Sequence, residues 1–322
     1  MTAIALIVQP GSTPSSVATS LDMVSIAARY PEAAACRIDL LSLDGGRVNL
    51  SSSLGVETAP LPDSLAAYAA LILPGFFADG VESLIAQVER IWQPVVERLP
   101  TLHPEAPLAA SCYGTFVLAA SGLLDGRQAT TTWWLRDVFR QRYPRVELDA
   151  DRALVDDGRY ITGGAMTAHT DLSLHLLRRL FGARLAREVA GIMLVDGARV
   201  SQRPFMTLAR RFADPLVQAA ADWMTARIAQ PAASEALASA LGVSYRTLHR
   251  RFSVAVGMAP LAYLQALRVE RAKELLEESR FGVEGIVELV GYSDVPAFRR
   301  LFIREVGVSP AQYRQRFRSP GT

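Results

Sequence analysis

The chain has 322 residues, half of them hydrophobic, and its 34 basic and 32 acidic side chains give a formal net charge of +2. This composition excludes a disordered chain, and the length is sufficient for two domains with cores of their own. The two cysteines show no paired Cys/His spacing, which excludes a disulfide framework and a zinc site, so neither a metal nor a cofactor is expected.

No targeting signal is expected from the first ten residues. Residues 1–10 lack a basic region, and their apolar run is too short for a signal peptide or a membrane span. We therefore expect a cytoplasmic protein without a membrane partner.

Apolar runs and amphipathic stretches alternate through the first 195 residues. Short continuous apolar runs predict buried strands at 3–8, 37–43, 69–73, 107–110 and 160–162. Apolar residues at helical spacing predict helices at 16–28, 84–98, 113–121, 171–180 and 185–194. Strands that alternate with helices indicate an α/β domain with a largely parallel sheet.

Residues 110–115, Ala-Ser-Cys-Tyr-Gly-Thr, have the pattern of a nucleophile elbow. In such an elbow a sharp turn between strand and helix exposes one side chain, here Cys112, and the helix dipole lowers the pKa of a thiol. The alternative interpretation is a buried cysteine that acts as a small hydrophobic residue.

Residues 3–195 resemble the DJ-1/PfpI (class I glutamine amidotransferase-like) family. The resemblance rests on Leu73-Pro74-Gly75 after a strand, the elbow at Cys112, residues 119–133, Thr162-Gly163-Gly164 and Asp171-Leu172. It implies a flavodoxin-like fold.

Enzymes of this fold have a histidine after the elbow, where this chain has Thr132, and threonine cannot act as a base near neutral pH. Of the other histidines, His169 is the one expected to reach the elbow, and Asp22 is a candidate for the acid that approaches the thiol. The resemblance therefore implies a non-catalytic domain. Two alternatives are a cysteine-dependent hydrolase or glyoxalase-like enzyme tethered to DNA, and a redox sensor acting through Cys112.

A pocket is expected beyond the carboxyl ends of the strands, where open α/β sheets bind ligands. The residues predicted to line this effector site are Gly75, Phe76, Cys112, Tyr113, Thr132, Trp133 and His169. Backbone N–H groups near Phe76 and Tyr113 would hold a carboxylate, and the aromatic faces would hold a cation. The expected effector is amino-acid-like or a quaternary ammonium metabolite; the alternative is that these aromatic residues belong to the core.

Residues 196–213 are predicted to be a linker, and residues 214–322 contain an internal repeat of 50 positions. The repeat places Leu248 on Phe298, Phe252 on Phe302, Gly257 on Gly307 and Pro260 on Pro310. Residues 214–322 hold 14 basic and 11 acidic side chains, whereas residues 1–213 hold 20 and 21. A mildly basic C-terminal part suits nucleic-acid binding.

Each copy of the repeat predicts a helix-turn-helix. Gly242 ends one helix and Ser244 caps the next, while Gly291-Tyr292-Ser293 forms the second turn and Asp294 caps the helix after it. A helix from Pro260 of about 16 residues would act as a rigid strut of about 24 Å between the two units. The side chains left facing outward, and therefore predicted to contact DNA, are Arg246, His249, Arg250, Pro296, Arg299 and Arg300.

The segment is similar to the DNA-binding domain of AraC/XylS-family transcription regulators, most specifically at residues 291–294, Phe298, Phe302, 307–310 and 313–314, with Val287 where the family usually has alanine. An all-helical interaction module is the alternative. The two resemblances together imply a sequence-specific regulator in which a DJ-1/PfpI-like domain (1–195) senses a small molecule and dimerises, followed by the all-α tandem helix-turn-helix domain. The implied partners are promoter DNA, RNA polymerase, the effector and a second copy of the chain.

Overall fold

Short apolar strands in the first part of the chain pair into one large sheet. The strands are β1 (Thr2–Ile7), β2 (Cys36–Ser42), β3 (Gly46–Asn49), β4 (Gly55–Pro60), β5 (Ala70–Leu73), β6 (Leu108–Ser111), β7 (Gln128–Ala129), β8 (Glu147–Leu148), β9 (Leu154–Asp157) and β10 (Tyr160–Gly163). Eight of them form the sheet in the order β3-β4-β2-β1-β5-β6-β10-β9, and β7 pairs with β8 apart from it. The pairings from β4 to β10 are parallel, whereas β3 and β9 join the two edges antiparallel.

Helices cover both faces of this sheet. They are α1 (Pro14–Ala27), α2 (Val81–Arg90), α3 (Gln93–Arg98), α4 (Gly114–Ala120), α5 (Arg136–Arg142), α6 (Ala168–Phe181) and α7 (Ala183–Ile192). Alternate residues of β1 face opposite layers: Ala5 and Ile7 belong to the core under α2–α4, and Ile4 and Leu6 to the core under α1, α6 and α7. The central strands β1, β5 and β6 are almost wholly apolar because both of their faces are buried.

The structure is a computed structural model that describes residues 2–197, 199–209, 211–231 and 234–318. It divides into two compact units, Met1–Gln202 and Arg203–Thr322. The boundary falls inside the segment predicted as a linker, 196–213.

The second unit is all helical. Its helices are α8 (Pro215–Ala226), α9 (Ser234–Ala240), α10 (Tyr245–Val256), α11 (Pro260–Glu278), α12 (Val283–Leu289), α13 (Val295–Val306) and α14 (Pro310–Phe317). Two separate cores lie along α11, which contributes Tyr263 and Leu267 to the first and Ala272 and Leu276 to the second. The predicted fold class, an α/β domain with a mostly parallel sheet followed by tandem helix-turn-helix units, is confirmed.

Two local expectations were wrong. The helix predicted at 84–98 is two helices, α2 and α3, because Pro94 occupies the first turn of α3 and cannot continue the hydrogen bonding of α2. The strands β3, β4, β7, β8 and β9 were not expected; β3 and β4 are largely exposed and therefore lack the apolar runs of the central strands.

Within the described residues, no single helix is long and apolar enough to cross a membrane. The pair α10 and α11 together has the length and composition of a membrane span, but the two helices are bent by 55° at their junction.

Candidate DNA interface and effector site

The helices α10 and α13 begin and end with the same local chemistry, 50 residues apart. Ser244 Oγ accepts from Thr247 N–H (3.2 Å) at the start of α10, and Asp294 Oδ1 accepts from Ala297 N–H (3.0 Å) at the start of α13. Both helices end at a left-handed glycine, with φ of +76° and +81°. A capped start orients the first helical turn, the part of a recognition helix that enters the major groove.

The predicted DNA-contacting side chains lie on the outer faces of these two helices. In α10, Arg246 and Arg250 are exposed and His249 is half-buried, with its ring 5.7 Å from that of Tyr245. Within the described part of the chain, neither arginine has an ion-pair partner. Two uncompensated guanidinium groups are therefore free to meet phosphate oxygens or guanine edges.

In α13, Pro296, Arg299 and Arg300 are exposed. Arg299 forms a salt bridge with Glu284 (2.9 Å), in which both side chains are more than half exposed. Such a pair is weak and is readily exchanged for a phosphate contact. Among the described residues Arg300 has no such partner, which makes it the equivalent of Arg250 one repeat earlier.

A neighbouring arginine serves the fold. Arg251 points back to the N-cap of α8, where its guanidinium makes a bidentate contact with Asp214 (2.9 and 2.6 Å). This hydrogen bonding lowers the pKa of the Asp214 carboxyl. Arg251 is therefore engaged with α8 while the adjacent Arg250 is not, because successive positions point to different sides of a helix.

The strut α11 has 19 residues, which corresponds to a length of about 28 Å. It holds the two helix-turn-helix units together through the buried Arg268, whose Nε donates to the Ile228 carbonyl (2.9 Å). The same guanidinium lies 5.1 Å from the ring centre of Tyr292, in the second turn. Arg268 is therefore a bridge between the two repeats.

In the first unit, Cys112 lies at the predicted elbow. Its φ of +56° is one of two positive values at non-glycine residues in the described chain, and such a conformation is strained for a side-chain-bearing residue. Its N–H is shared between the carbonyls of Gly163 and Gly164 (3.0 Å each), and its carbonyl accepts from Thr131 Oγ1 (2.9 Å). These bonds, on both sides of the turn, hold the strained residue in place.

Two glycines make room for the elbow. A Cβ on Gly114 would lie 2.6 Å from the Pro74 carbonyl oxygen and 2.7 Å from that of Leu73, so only glycine allows α4 to start this close to β5. A Cβ on Gly75 would lie 3.0 Å from Cys112 Cβ, 3.4 Å from Cys112 Sγ and 3.2 Å from Thr13 Oγ1. Gly75, Thr13 and Cys112 are therefore packed so closely that a methyl group on Gly75 would be crowded.

Burial, rather than the helix dipole, controls the thiol. Cys112 is 7 % exposed, and removal from water raises its pKa to about 12, against the smaller opposing effect of the Tyr113 backbone N–H. An isolated thiolate is poorly solvated in such a site. The expectation that the elbow lowers the thiol pKa is thus not met, and the thiol is protonated at neutral pH.

His169 differs from the expected arrangement. It is 1 % exposed, and its ring nitrogens lie 2.8 Å from Ser20 Oγ and 2.8 Å from Ser111 Oγ. Because Ser20 Oγ donates to the Ser16 carbonyl, it accepts from Nε2–H, which leaves Nδ1 to accept from Ser111. Burial lowers the histidine pKa to about 4. With both nitrogens engaged, His169 fixes the residue before Cys112 rather than serving as its base; Asp22 is exposed.

The aromatic residues near the elbow form a connected cluster. The Tyr113 ring packs edge-on against Phe76 (5.7 Å) and Trp134 (6.5 Å), and Trp134 packs against Trp133 (5.4 Å). Phe76 is fully buried, so for this residue the core interpretation applies, whereas Trp134 is 45 % exposed. Trp134 was missed because the short 3-10 turn at Trp133–Leu135 gives no periodicity from which to tell which tryptophan faces Tyr113.

Thr132 supplies an unsatisfied polar atom. Its side chain is fully buried, and its Oγ1 has no hydrogen-bond partner among the described residues. A buried hydroxyl without a partner is costly unless a ligand or water completes it. Thr132 follows Thr131, which bonds to the Cys112 carbonyl, so the unpaired hydroxyl belongs to the neighbourhood of the elbow.

Comparisons with known proteins agree with both predicted domains. Residues 18–179 match the model of the DJ-1/PfpI family, and residues 237–316 match that of a helix-turn-helix domain. The HTH-type transcriptional regulator GbdR of Pseudomonas aeruginosa is 25 % identical over 307 residues, 93 % of this chain and 80 % of the relative. The regulator CdhR of the same species is 28 % identical over 310 residues, 95 % and 89 % of the two chains.

Solved structures show the same fold for the first unit. A crystal structure of an AraC family transcriptional regulator from Pseudomonas putida has a TM-score of 0.50 at 20 % identity, covering 60 % of this chain and 100 % of that one. A ThiJ/PfpI family protein from Pseudomonas syringae has a TM-score of 0.50 at 21 % identity, covering 70 % and 86 %. At these identities the likeness concerns the fold alone.

Proposed function

This chain belongs to the DJ-1/PfpI family and ends in an AraC-type helix-turn-helix domain, and on that premise we propose that it regulates transcription by binding promoter DNA under the control of a small molecule held in its first unit. The observation that carries the proposal is the pair of capped helices, α10 and α13, which present Arg250 and Arg300 at equivalent positions. A single helix of this kind is common in many proteins. Two such helices, 50 residues apart and joined by the rigid α11, can enter successive major grooves of DNA.

DNA binding is tested by fluorescence anisotropy of the full-length protein on a fragment of its own promoter, over a series of salt concentrations. A sequence reader should prefer this fragment to scrambled DNA of equal length by about 10³-fold or more. Affinity should also fall with salt, since arginine–phosphate contacts release counterions. Equal affinity for both fragments at every salt concentration would contradict the proposal.

The effector site we assign to the elbow is lined by Gly75, Cys112, Tyr113, Thr132 and Trp133, with Phe76 and His169 as its buried supports. The support for this assignment is the unpaired Thr132 hydroxyl, next to the residue that bonds to the Cys112 carbonyl. In that site the Phe76 and Tyr113 N–H groups would receive a carboxylate, and the Tyr113 and tryptophan faces a cationic group.

The effector assignment is tested by thermal shift with matched probes: a quaternary ammonium carboxylate, its primary amine counterpart, and an uncharged isostere. A ligand that binds only the folded state at 100 times its Kd stabilises it by about 2.7 kcal/mol. Replacing Thr132 with valine keeps the shape of the side chain and removes the hydroxyl. This variant should lose the shift, whereas an unchanged shift would place the effector elsewhere.

We further propose that the first unit is not an enzyme. A nucleophilic cysteine needs its thiolate, and burial holds the pKa of Cys112 at about 12, with the nearby His169 engaged by two serines. The same protonated thiol argues against redox sensing, because peroxide attacks thiolates. Cys112→Ser should therefore retain effector-dependent promoter binding, while a loss of regulation in this variant would favour the redox alternative.

As a regulator, the protein would act in the cytoplasm as a homodimer, with RNA polymerase as its partner at the promoter. A dimer would place two sets of recognition helices on the DNA, and the ligand would change which spacing of sites the dimer can span. Sedimentation of the full-length protein with and without promoter DNA tests the dimer.

A further inference from the structure

The last residues of the first unit form a strap, residues 199–202, that is fastened to that unit. Arg199 Nε donates to Asp171 Oδ2 (2.7 Å), and the Asp171 side chain is only 1 % exposed. At the other end of the strap, the Gln202 N–H donates to the Asp151 carbonyl (2.7 Å). The chain therefore does not leave the first unit as a loose tether.

The side chain of Gln202 anchors the strap. It is 4 % exposed, and its Oε1 accepts from the Ala165 N–H (2.8 Å). Its Nε2 donates to the carbonyls of Thr131 and Ala150 (2.9 Å each). A carboxamide has one acceptor oxygen and two donor hydrogens, and all of them are engaged here, as burial requires.

The socket that receives Gln202 is made by Gly164. A Cβ on Gly164 would lie 2.3 Å from Gln202 Cδ, 2.4 Å from Oε1 and 2.5 Å from Nε2. Gly164 does not have a positive φ, so its backbone conformation does not require glycine. The position requires glycine because the glutamine side chain fills the volume that any larger residue would need.

The residues that hold Gln202 also hold the elbow. Thr131 accepts from Gln202 through its carbonyl and donates from its hydroxyl to the Cys112 carbonyl (2.9 Å). Gly164 lies against the Gln202 side chain, and its own carbonyl accepts from the Cys112 N–H (3.0 Å). Gln202 is thus one residue removed from Cys112 by two independent routes.

Beyond Gln202, the chain is held by the second unit. The carbonyl of Met206 accepts from Lys273 Nζ, and that of Ala209 accepts from the Tyr263 hydroxyl, both at 2.8 Å. The fastening to the first unit ends at Gln202, and the contacts with the second unit begin at Arg203, whose guanidinium donates to the Arg304 carbonyl (2.8 Å). Release of the four-residue strap would lengthen the tether by up to about 13 Å, at roughly 3.3 Å per extended residue.

We propose that Gln202 is a positioning residue of the effector site and the latch through which occupancy of that site sets the length of the tether between the units. The inference rests on the proposed function. With the latch docked, Thr131 and Gly164 hold the elbow in its binding geometry, and a preorganised site binds more tightly. Because coupling is reciprocal, the effector in turn favours the docked strap and the short tether.

The latch is tested in the full-length protein with Cys36→Ser as background, so that Cys112 is the only thiol. The rate at which Cys112 reacts with dithionitrobenzoate reports on the elbow. The rate at which trypsin cleaves after Arg199, identified by fragment mass, reports on the strap.

Gln202→Ala and Gly164→Ala should each raise both rates at least tenfold. Gln93→Ala, at an exposed glutamine of α3, is the matched control and should leave both rates within twofold of wild type.

The double variant Gln202→Ala, Gly164→Ala distinguishes loss of the latch from non-specific destabilisation of the first unit. Once Gln202 is alanine, the three atoms that lie nearest to a Cβ on Gly164 are gone. Gly164→Ala should therefore add less than twofold to either rate in the Gln202→Ala background. Multiplicative effects in the double variant would mean that the two positions act separately. This result would contradict the proposal that Gly164 makes room for the Gln202 side chain. Circular dichroism of each variant shows whether both units remain folded.

Coupling is overturned if Gln202→Ala exposes Arg199 to trypsin while Cys112 reacts at the wild-type rate, and the latch itself is overturned if neither rate changes. Neither measurement uses DNA or an effector. The latch can therefore fail while promoter binding is intact, and promoter binding can fail while the latch behaves as expected.

Discussion

The position of a side chain on its helix decides whether an arginine in the second unit serves the fold or the DNA. Arg250 and Arg300 carry no ion-pair partner in the described chain, whereas Arg251 makes two contacts with the N-cap Asp214. A guanidinium that already has its carboxylate cannot bind a phosphate without losing that interaction.

The first prediction follows from this difference. Arg250→Ala or Arg300→Ala should weaken binding to the promoter fragment by about 1–3 kcal/mol and leave the melting temperature unchanged. Arg251→Ala should instead lower the stability of the protein, because Asp214 loses the charge that it faces. Arg187→Ala, at an exposed position of α7 in the first unit, should alter neither property. Anisotropy titrations and thermal melts of the four variants make the comparison, and wild-type affinity in Arg250→Ala and Arg300→Ala would contradict it.

The buried His169 predicts a pH dependence of stability. Its pKa in the folded protein is about 4, below the ordinary 6.5, so the folded state favours the neutral ring. The stabilisation is therefore present above pH 6.5 and is lost as the pH falls from 6.5 through 4, by at most about 3 kcal/mol at 1.36 kcal/mol per pH unit.

The measurement is urea unfolding between pH 7 and pH 4. His169→Gln should show a shallower loss of stability over this range than the wild type, although it is less stable at pH 7. His103→Gln, at an exposed position, should follow the wild-type curve. Parallel curves for His169→Gln and the wild type would mean that His169 titrates normally in the folded state.

At the scale of the element, the start of α4 packs directly against the end of β5. A Cβ on Gly114 would lie within 2.7 Å of two backbone carbonyl oxygens, which cannot move aside as a side chain can. By contrast, a Cβ on Gly191 in α7 would meet nothing within 4 Å.

The third prediction compares these two glycines. Gly114→Ala should destabilise the protein by about 1–3 kcal/mol through overpacking, and should loosen the elbow as well. Gly191→Ala should stabilise it by up to about 1 kcal/mol, since alanine is the better helix former. Chemical denaturation of both variants gives the two signs, and a neutral Gly114→Ala would show that α4 can shift away from β5.

The elements that sequence reasoning predicted are those whose signals are local. The capping residues Ser244 and Asp294 and the glycines at the ends predict the helices α10 and α13. Continuous apolar runs predict the buried strands. The strands β3 and β4 escaped because their pairing is with each other and with β2, which no single stretch encodes. The engaged ring of His169 escaped for the same reason, since its serine partners lie 149 and 58 residues away in sequence.

Gln202 is the clearest case of a residue that no motif could single out. Its segment has the composition of a linker, and its importance arises only from the distant residues that surround it. Glycine at 164 belongs to the motif that carried the family resemblance, but the reason for it, a close approach by the glutamine, is a tertiary contact.

At the scale of the whole molecule, each unit has its own apolar interior. The two faces of the sheet form the cores of the first unit, and two clusters along α11 form those of the second. Units with separate cores, joined at one point of the chain, unfold separately unless the contacts between them are large and apolar.

This separation predicts two transitions in scanning calorimetry of the full-length protein, and promoter DNA should raise only the one that belongs to the second unit. DNA at 100 times its Kd stabilises the unit that binds it by about 2.7 kcal/mol, whereas the first unit gains nothing from a ligand that it does not touch. Gly114→Ala assigns the transitions, because it should lower that of the first unit alone. In the Arg250→Ala, Arg300→Ala double variant, the shift caused by DNA should shrink while the transitions without DNA stay in place. A single transition that DNA raises as a whole would mean that the units unfold as one body, and effector control would then act through a shared interface rather than through the tether.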